Sequence, residues 1–146
     1  KPCNQFVAGF IGSPQMNFID VKLVKKGSDL YAVFGDNSVK IPEGKANKAE
    51  LAPYIGKEVV MGIRPEEIHD DEAFLSTYPD ATCKAFVEVT EMMGAETYLY
   101  LTINGVQFTA RVNQRSTAKI NDTINVGFDV NKVHFFDKDT ELTILN

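Results

Sequence analysis

Apolar and polar residues alternate on both sides of Asn104-Gly105, and this pattern specifies the best-defined element of the chain. Leu99, Leu101 and Ile103 precede the dipeptide at every second position, and Val106, Phe108 and Ala110 follow it. Such alternation marks half-buried strands, and Asn-Gly accepts the positive φ that a tight hairpin turn demands. The spacing sets Ile103 against Val106, Leu101 against Phe108 and Leu99 against Ala110 on the apolar face. Thr102 with Gln107, Tyr100 with Thr109 and Tyr98 with Arg111 pair on the other. A one-residue slip would turn the whole apolar set outward, so the register is well specified. A lone hairpin is marginal in water, so other strands must cover it.

The rest of the chain supplies them. Strands are predicted over 18–24, 30–34, 38–41, 58–64, 82–90, 122–130, 133–136 and 142–145, with turns at 25–29 and 35–37. In the 82–90 strand, Cys83, Ala85, Val87 and Val89 share one face. Phe86 interrupts the polar face, which implies that this side is partly covered as well. Asn47 is expected to cap a short helix through Leu51, and 66–80 reads as an acidic loop with one helical turn. Phe6/Phe10 and Val7/Ile11 recur at i+4 in an opening helix stopped by Gly12-Ser13-Pro14. Roughly nine or ten short strands with few helices make a mainly β fold, a small barrel or sandwich of antiparallel strands.

Composition narrows the function. The 146 residues suit one domain or two intimately packed halves, with 44% hydrophobic and 24% charged residues. A net charge of -5 and the absence of a dense Lys/Arg cluster argue against a nucleic-acid partner. Cys3 and Cys83 form no metal-spaced pair and read as free thiols of a reducing compartment. No run approaches the ~20 apolar residues of a membrane-spanning helix. The chain opens on Lys1 rather than methionine, so Lys1 is read as a cut point inside a longer polypeptide.

Catalytic patterns are missing from the sequence: no GxSxG, HExxH, GxGxxG or GxxxxGK[ST] occurs. No catalytic, cofactor-binding or metal site is therefore expected. His69-Asp70-Asp71-Glu72 has the ligand types for a divalent cation, but a dense acidic loop is ordinarily a solvated surface. His134, between Val133 and Phe135-Phe136, reads as a hydrogen-bonded, partly buried histidine. Tyr98, Tyr100 and Arg111 allow an alternative, a barrel face that stacks the bases of a single strand or holds a small ligand. The acidic balance favours cross-strand packing there instead. Arg64-Pro65-Glu66 ends an apolar strand where an arginine can fix a corner.

Four stretches add a more specific signal. FVAGFIGSPQMNF (6–18), MGIRPEEI (61–68), VTEMMGAETYLYL (89–101) and HFFDKDTE (134–141) resemble the C-terminal part of ABC-type sugar-importer ATPase subunits of the maltose and multiple-sugar class. The resemblance runs through the chain in order.

It implies an oligonucleotide-binding-like (TOBE, OB-type) regulatory domain over 15–146. Residues 1–14 would be a terminal helix leading from an ATPase domain that carries the phosphate loop, the signature and the catalytic glutamate. Itself non-catalytic, such a domain is expected to hold two ATPase subunits together as a homodimer and in some members to receive a signalling protein. The family's regulated surface maps here to Arg64, Pro65 and Glu66, and to Glu91 through Thr97, with Glu91, Gly94, Glu96 and Thr97 as contact candidates. ATP and Mg would belong to the full-length parent, and membrane subunits would be met through its ATPase domain. The expected location is cytoplasmic, peripheral on the inner face of the membrane.

Overall fold

The alternation of the first strand predicts what it buries. Ile19, Val21 and Leu23 point inward while Asp20 and Lys22 are exposed. In a computed structural model, which describes residues 15–145, this strand is β1 (Asn17–Lys26). It lies at the centre of a six-stranded antiparallel sheet with β2 (Asp29–Phe34), β3 (Asn37–Ile41), β4 (Glu58–Ile63), β10 (His134–Phe136) and β11 (Thr143–Leu145). The order is β11-β10-β4-β1-β2-β3. The turn after β1 is tighter than the sequence suggests, because Gly27 takes φ +64 and lets the strand run on to Lys26.

The second sheet has the order β5-β9-β6-β7-β8. It comprises β5 (Ile68–His69), β6 (Thr82–Met93), β7 (Glu96–Ile103), β8 (Val106–Asn113) and β9 (Thr123–Phe128). The β7–β8 hairpin has the predicted register at all six pairs from Tyr98–Arg111 to Ile103–Val106. Asn104 (φ 49) and Gly105 (φ 77) form its two-residue turn.

Both sheets face one core. Phe34 of β2 meets Phe108 of β8 at 6.3 Å and Phe128 of β9 at 6.1 Å, and the last two stand 5.7 Å apart. Full burial of such a ring contributes roughly 2–3 kcal/mol, so this trio is a principal link between the sheets. A smaller cluster of Met16, Val60 and Phe136 lies on the far side of the first sheet, with Phe18 packed edge-on to Phe136 at 5.9 Å. No helix of the described residues is long and apolar enough to cross a membrane.

Three expectations change. Asn47 does not start a helix; it closes α1 (Glu43–Ala46), which begins after Pro42, whose fixed φ of -58 suits that entry. Val89 leaves the core face, because β6 bulges at Glu88 and moves Val89 opposite Tyr100, where it is 48% exposed. Phe86 is exposed rather than covered by a described element. The loop at 66–80 contains α2 (Glu72–Thr77), and the Asp71 carboxylate accepts the Phe74 N–H at 3.0 Å. The opening helix and the boundary at residue 14 lie outside the described residues.

Candidate functional site

The two ends of the second sheet, β5 and β8, come close without forming a ladder. A cleft of about 780 Å³ occupies this seam, lined among others by Glu66, His69, Asp71, Glu96, Arg111 and Arg115. Short-range polar contacts cross it: the Ser116 hydroxyl donates to the Asp70 carboxylate at 2.5 Å.

Arg111 organises the cleft. It stands on β8 opposite Tyr98, on the face that alternation turns away from the core. Its Nε lies 3.1 Å from Glu96 Oε2, and an Nη lies 4.0 Å from Glu66 Oε2. The Nε–H does not point at the carboxylate oxygen, so the Glu96 contact is an ion pair rather than a directed hydrogen bond. Two segments well separated in sequence, Arg64–Glu66 and Glu91–Thr97, thus meet at one guanidinium through Glu66 and Glu96. The sequence pairs Arg111 with Tyr98 across the hairpin but carries no sign that it joins these two segments.

The other candidates divide by exposure. Arg64 is half-buried at the entry of a 3-10 turn over Pro65–Glu67, and Pro65 is buried in its first position. Glu66 is exposed. Burial holds the Glu67 carboxyl above its ordinary range, against the pull of Lys132 3.7 Å away. Gly94, at φ +65, makes the turn between β6 and β7 with open space around it. Glu91 and Glu96 are exposed, whereas Thr97 is 7% exposed, paired between Met92 and Val112.

Glu91 does not join the Arg111 cluster. It accepts the Tyr100 hydroxyl at 3.2 Å, and desolvation together with this carboxylate raises the Tyr100 phenol above its usual value. With Arg111 and Tyr100 thus engaged by carboxylates, the face does not offer a free cationic stacking platform for bases. The single-strand or small-ligand alternative is not supported.

The acidic loop gives no convergent ligand set. The His69 ring stacks on Phe74 at 4.0 Å and lies 3.6 Å from Asp71, which caps α2, while Asp70 turns to Ser116. Among the described residues no group of three His, Cys, Asp or Glu side chains is placed to hold a metal. His134 is half-buried beside Phe136, with ring centres 6.4 Å apart. Burial pushes the Cys83 thiol up to about 11, which makes it a poor nucleophile.

One contact was missed altogether. Asn17 at the start of β1 reaches β8, where its Nδ2 donates to the Thr109 carbonyl, and the same Nδ2 donates to the Ile63 carbonyl at the end of β4. An asparagine one residue after a core methionine carries no signal of a partner 92 positions away.

A mainly β fold of two antiparallel sheets, with a cleft where β5 approaches β8, defines an OB-like module. The chain belongs to the TOBE domain family, which matches residues 61–136, and residues 12–68 match the MalK OB fold domain. It is 43% identical over 98% of its length to the oligosaccharides import ATP-binding protein MsmX of Bacillus subtilis. It is 41% identical over 99% of its length to the multiple sugar-binding transport ATP-binding protein MsmK of Streptococcus mutans. It is 38% identical over 96% of its length to the trehalose/maltose import ATP-binding protein MalK of Thermococcus litoralis. The chain spans only 37–38% of the length of these relatives. Among solved structures, the cytoplasmic molybdate-binding protein ModG superposes with a TM-score of 0.59 at 15% identity, covering 82% of this chain and 94% of ModG. At that identity the likeness is one of fold alone.

Proposed function

We propose that this chain is the regulatory and dimerisation part of the ATP-binding subunit of a sugar-importing ABC transporter. One observation carries the reading: sugar-import ATP-binding proteins match the chain nearly end to end, yet over less than two-fifths of their own length. The ordered pair of family matches supports it.

In this reading the module is not itself an enzyme. Its sequence has no phosphate-cradling GxxxxGK[ST] loop, so ATP and Mg are bound and ATP is hydrolysed elsewhere in the parent subunit. Two modules join as a homodimer, and the parent meets the membrane subunits through its ATPase part at the cytoplasmic face. The surface formed by Glu66, Arg111, Glu96 and the arm from Glu91 to Gly94 receives either the second subunit or a signalling protein. The cleft's ion pairs hold these segments in one arrangement, as a docking surface requires.

The test combines two measurements on the purified chain. Phosphate release from ATP should not exceed that of a heat-denatured sample, and light scattering over a concentration series should show monomers converting to dimers. Turnover above the denatured control, or a strict monomer throughout, contradicts the proposal.

A further inference from the structure

β6 is paired by β7 along most of its length on one side, but on the other side β9 stops opposite Phe86. Beyond it, the Val87 N–H donates to the Asp122 carbonyl and the Val87 carbonyl accepts the Asn121 N–H, both at 2.8 Å. From Glu88 to Met93 this outer edge has no partner strand among the described residues.

Other edges of the fold are covered or short. Asn17 occupies both backbone polar groups of Thr109 on β8, and the Pro65–Glu67 turn lies alongside that strand. β3 abuts the turn at Pro79–Ala81, while β5 and β11 are two and three residues long. Edge strands are commonly guarded by lysine, proline or brevity. The open edge of β6 is guarded only by the bulge at Glu88 and by acidic charge: no Pro, Lys or Arg occurs from Phe86 to Thr97.

It presents apolar surface instead. Val89, Met92 and Met93 are 48%, 71% and 50% exposed, and methionine side chains adapt to varied partners. Glu88, Glu91 and Glu96 surround them.

We propose that Glu88–Met93 of β6 is a docking edge for an extended, basic segment of a partner protein, which adds as a further strand. The main chains form the ladder, and on the face that Val89, Glu91 and Met93 share, apolar residues of the segment cover Val89 and Met93 while a Lys or Arg between them meets Glu91. This rests on the regulatory reading and supplies the mode and chemistry of the partner contact. A second copy suits the edge less well. Antiparallel pairing about a two-fold axis preserves sheet faces, so centring on Glu91 sets two carboxylates opposite each other, and other centres gather the glutamates of both copies along one seam. A nucleic acid would bring phosphates to the same glutamates.

The test uses a fluorescein-labelled peptide with valine, lysine and valine at successive alternate positions of one face and threonine between them, and the same peptide N-methylated at alternate residues so that one edge cannot form a ladder. The expected result is saturable binding of the plain peptide with slowed amide exchange confined to Glu88–Met93. Binding should weaken about tenfold or more for Val89→Lys, for Met93→Lys and for the N-methylated peptide, with circular dichroism showing both variants folded. Equal binding of both peptides, no saturable binding, or slowed exchange on concentrating the chain without peptide overturns the proposal, the last by assigning the edge to a second copy. Light scattering on the same samples reports dimerisation separately, so failure of the edge is distinguishable from failure of the regulatory reading.

Discussion

The side chain of Asn17 pairs with the backbone of Thr109 in both directions: its Oδ1 accepts the Thr109 N–H at 2.8 Å, and its Nδ2 donates to the Thr109 carbonyl at 2.9 Å. The same Nδ2 lies 3.1 Å from the Ile63 carbonyl. One amide thereby ties β1 and β4 of the first sheet to the outer edge of β8 in the second. Asn17→Ala leaves these part-buried groups without a protein partner and should cost about 2 kcal/mol in urea unfolding. Asn17→Asp keeps the acceptor but sets a carboxylate against two carbonyls, so it should be no better than alanine. A loss below about 0.5 kcal/mol for both variants would show that water replaces the amide readily.

The turn Gly35-Asp36 meets the Asn104-Gly105 turn at a second junction between the sheets. Gly35 has φ +58, and a Cβ built there would lie 2.0 Å from Asn104 Nδ2. Gly35→Ala should destabilise by roughly 1–2 kcal/mol from the left-handed backbone alone, and by more because of the clash. Asn104→Gly keeps the turn permissive and removes the clashing amide. In a double-mutant cycle it should therefore rescue part of the Gly35→Ala loss, and strict additivity would exclude the contact.

Arg111 links the two surface segments, yet its energetic weight should be small. Its side chain is 28% exposed, Glu96 48% and Glu66 42%. Exposed pairs of this kind contribute about 0.2–1 kcal/mol and weaken with salt. The Arg111/Glu96 cycle should give a coupling in that range that falls by 0.5 M NaCl. Arg111→Ala should loosen the arm, seen as faster amide exchange over Glu91–Thr97, with little change in global stability. Global unfolding of this variant would assign Arg111 to the scaffold.

Asp137 anchors the turn that closes the fold. Its Oδ1 accepts the N–H groups of Thr140 and Asp139, each at 2.9 Å, and its Oδ2 accepts the Tyr54 hydroxyl at 2.8 Å. The Thr140 N–H first, and then the Tyr54 hydroxyl, hold its carboxyl below the usual aspartate value, while the same carboxylate raises the Tyr54 phenol. A carboxyl lowered by folding adds stability that is fully present above its unfolded pKa, near 4, and is lost as pH falls through the folded value. Asp137→Asn should be less stable than the parent chain at pH 7, and the gap should close on acidification below about pH 4. A gap that persists at low pH would place the effect in neutral hydrogen bonding.

What the sequence discloses follows the range of the interaction. The β7–β8 register is legible because alternation and Asn-Gly act within neighbouring residues. The bulge at Glu88 is not, because Val89 continues the apolar alternation while the β9 end loop, through Asn121 and Asp122, bonds Val87. Asn47 misleads because a capping residue type serves either end of a helix, and Pro42 had already fixed the start. The contact segments Arg64–Glu66 and Glu91–Thr97 are named by resemblance, but their meeting at Arg111 depends on closing β5 towards β8, a long-range event that no local pattern encodes.

The most direct measurement replaces the matching C-terminal part of Bacillus subtilis MsmX with this chain and follows oligosaccharide-dependent growth of cells lacking MsmX. Growth near that of cells given intact MsmX is predicted, because the chain matches this relative over 98% of its own length. A chimera that accumulates as a folded protein and hydrolyses ATP, yet supports no growth, would contradict the assignment of this chain as a sugar-importer module.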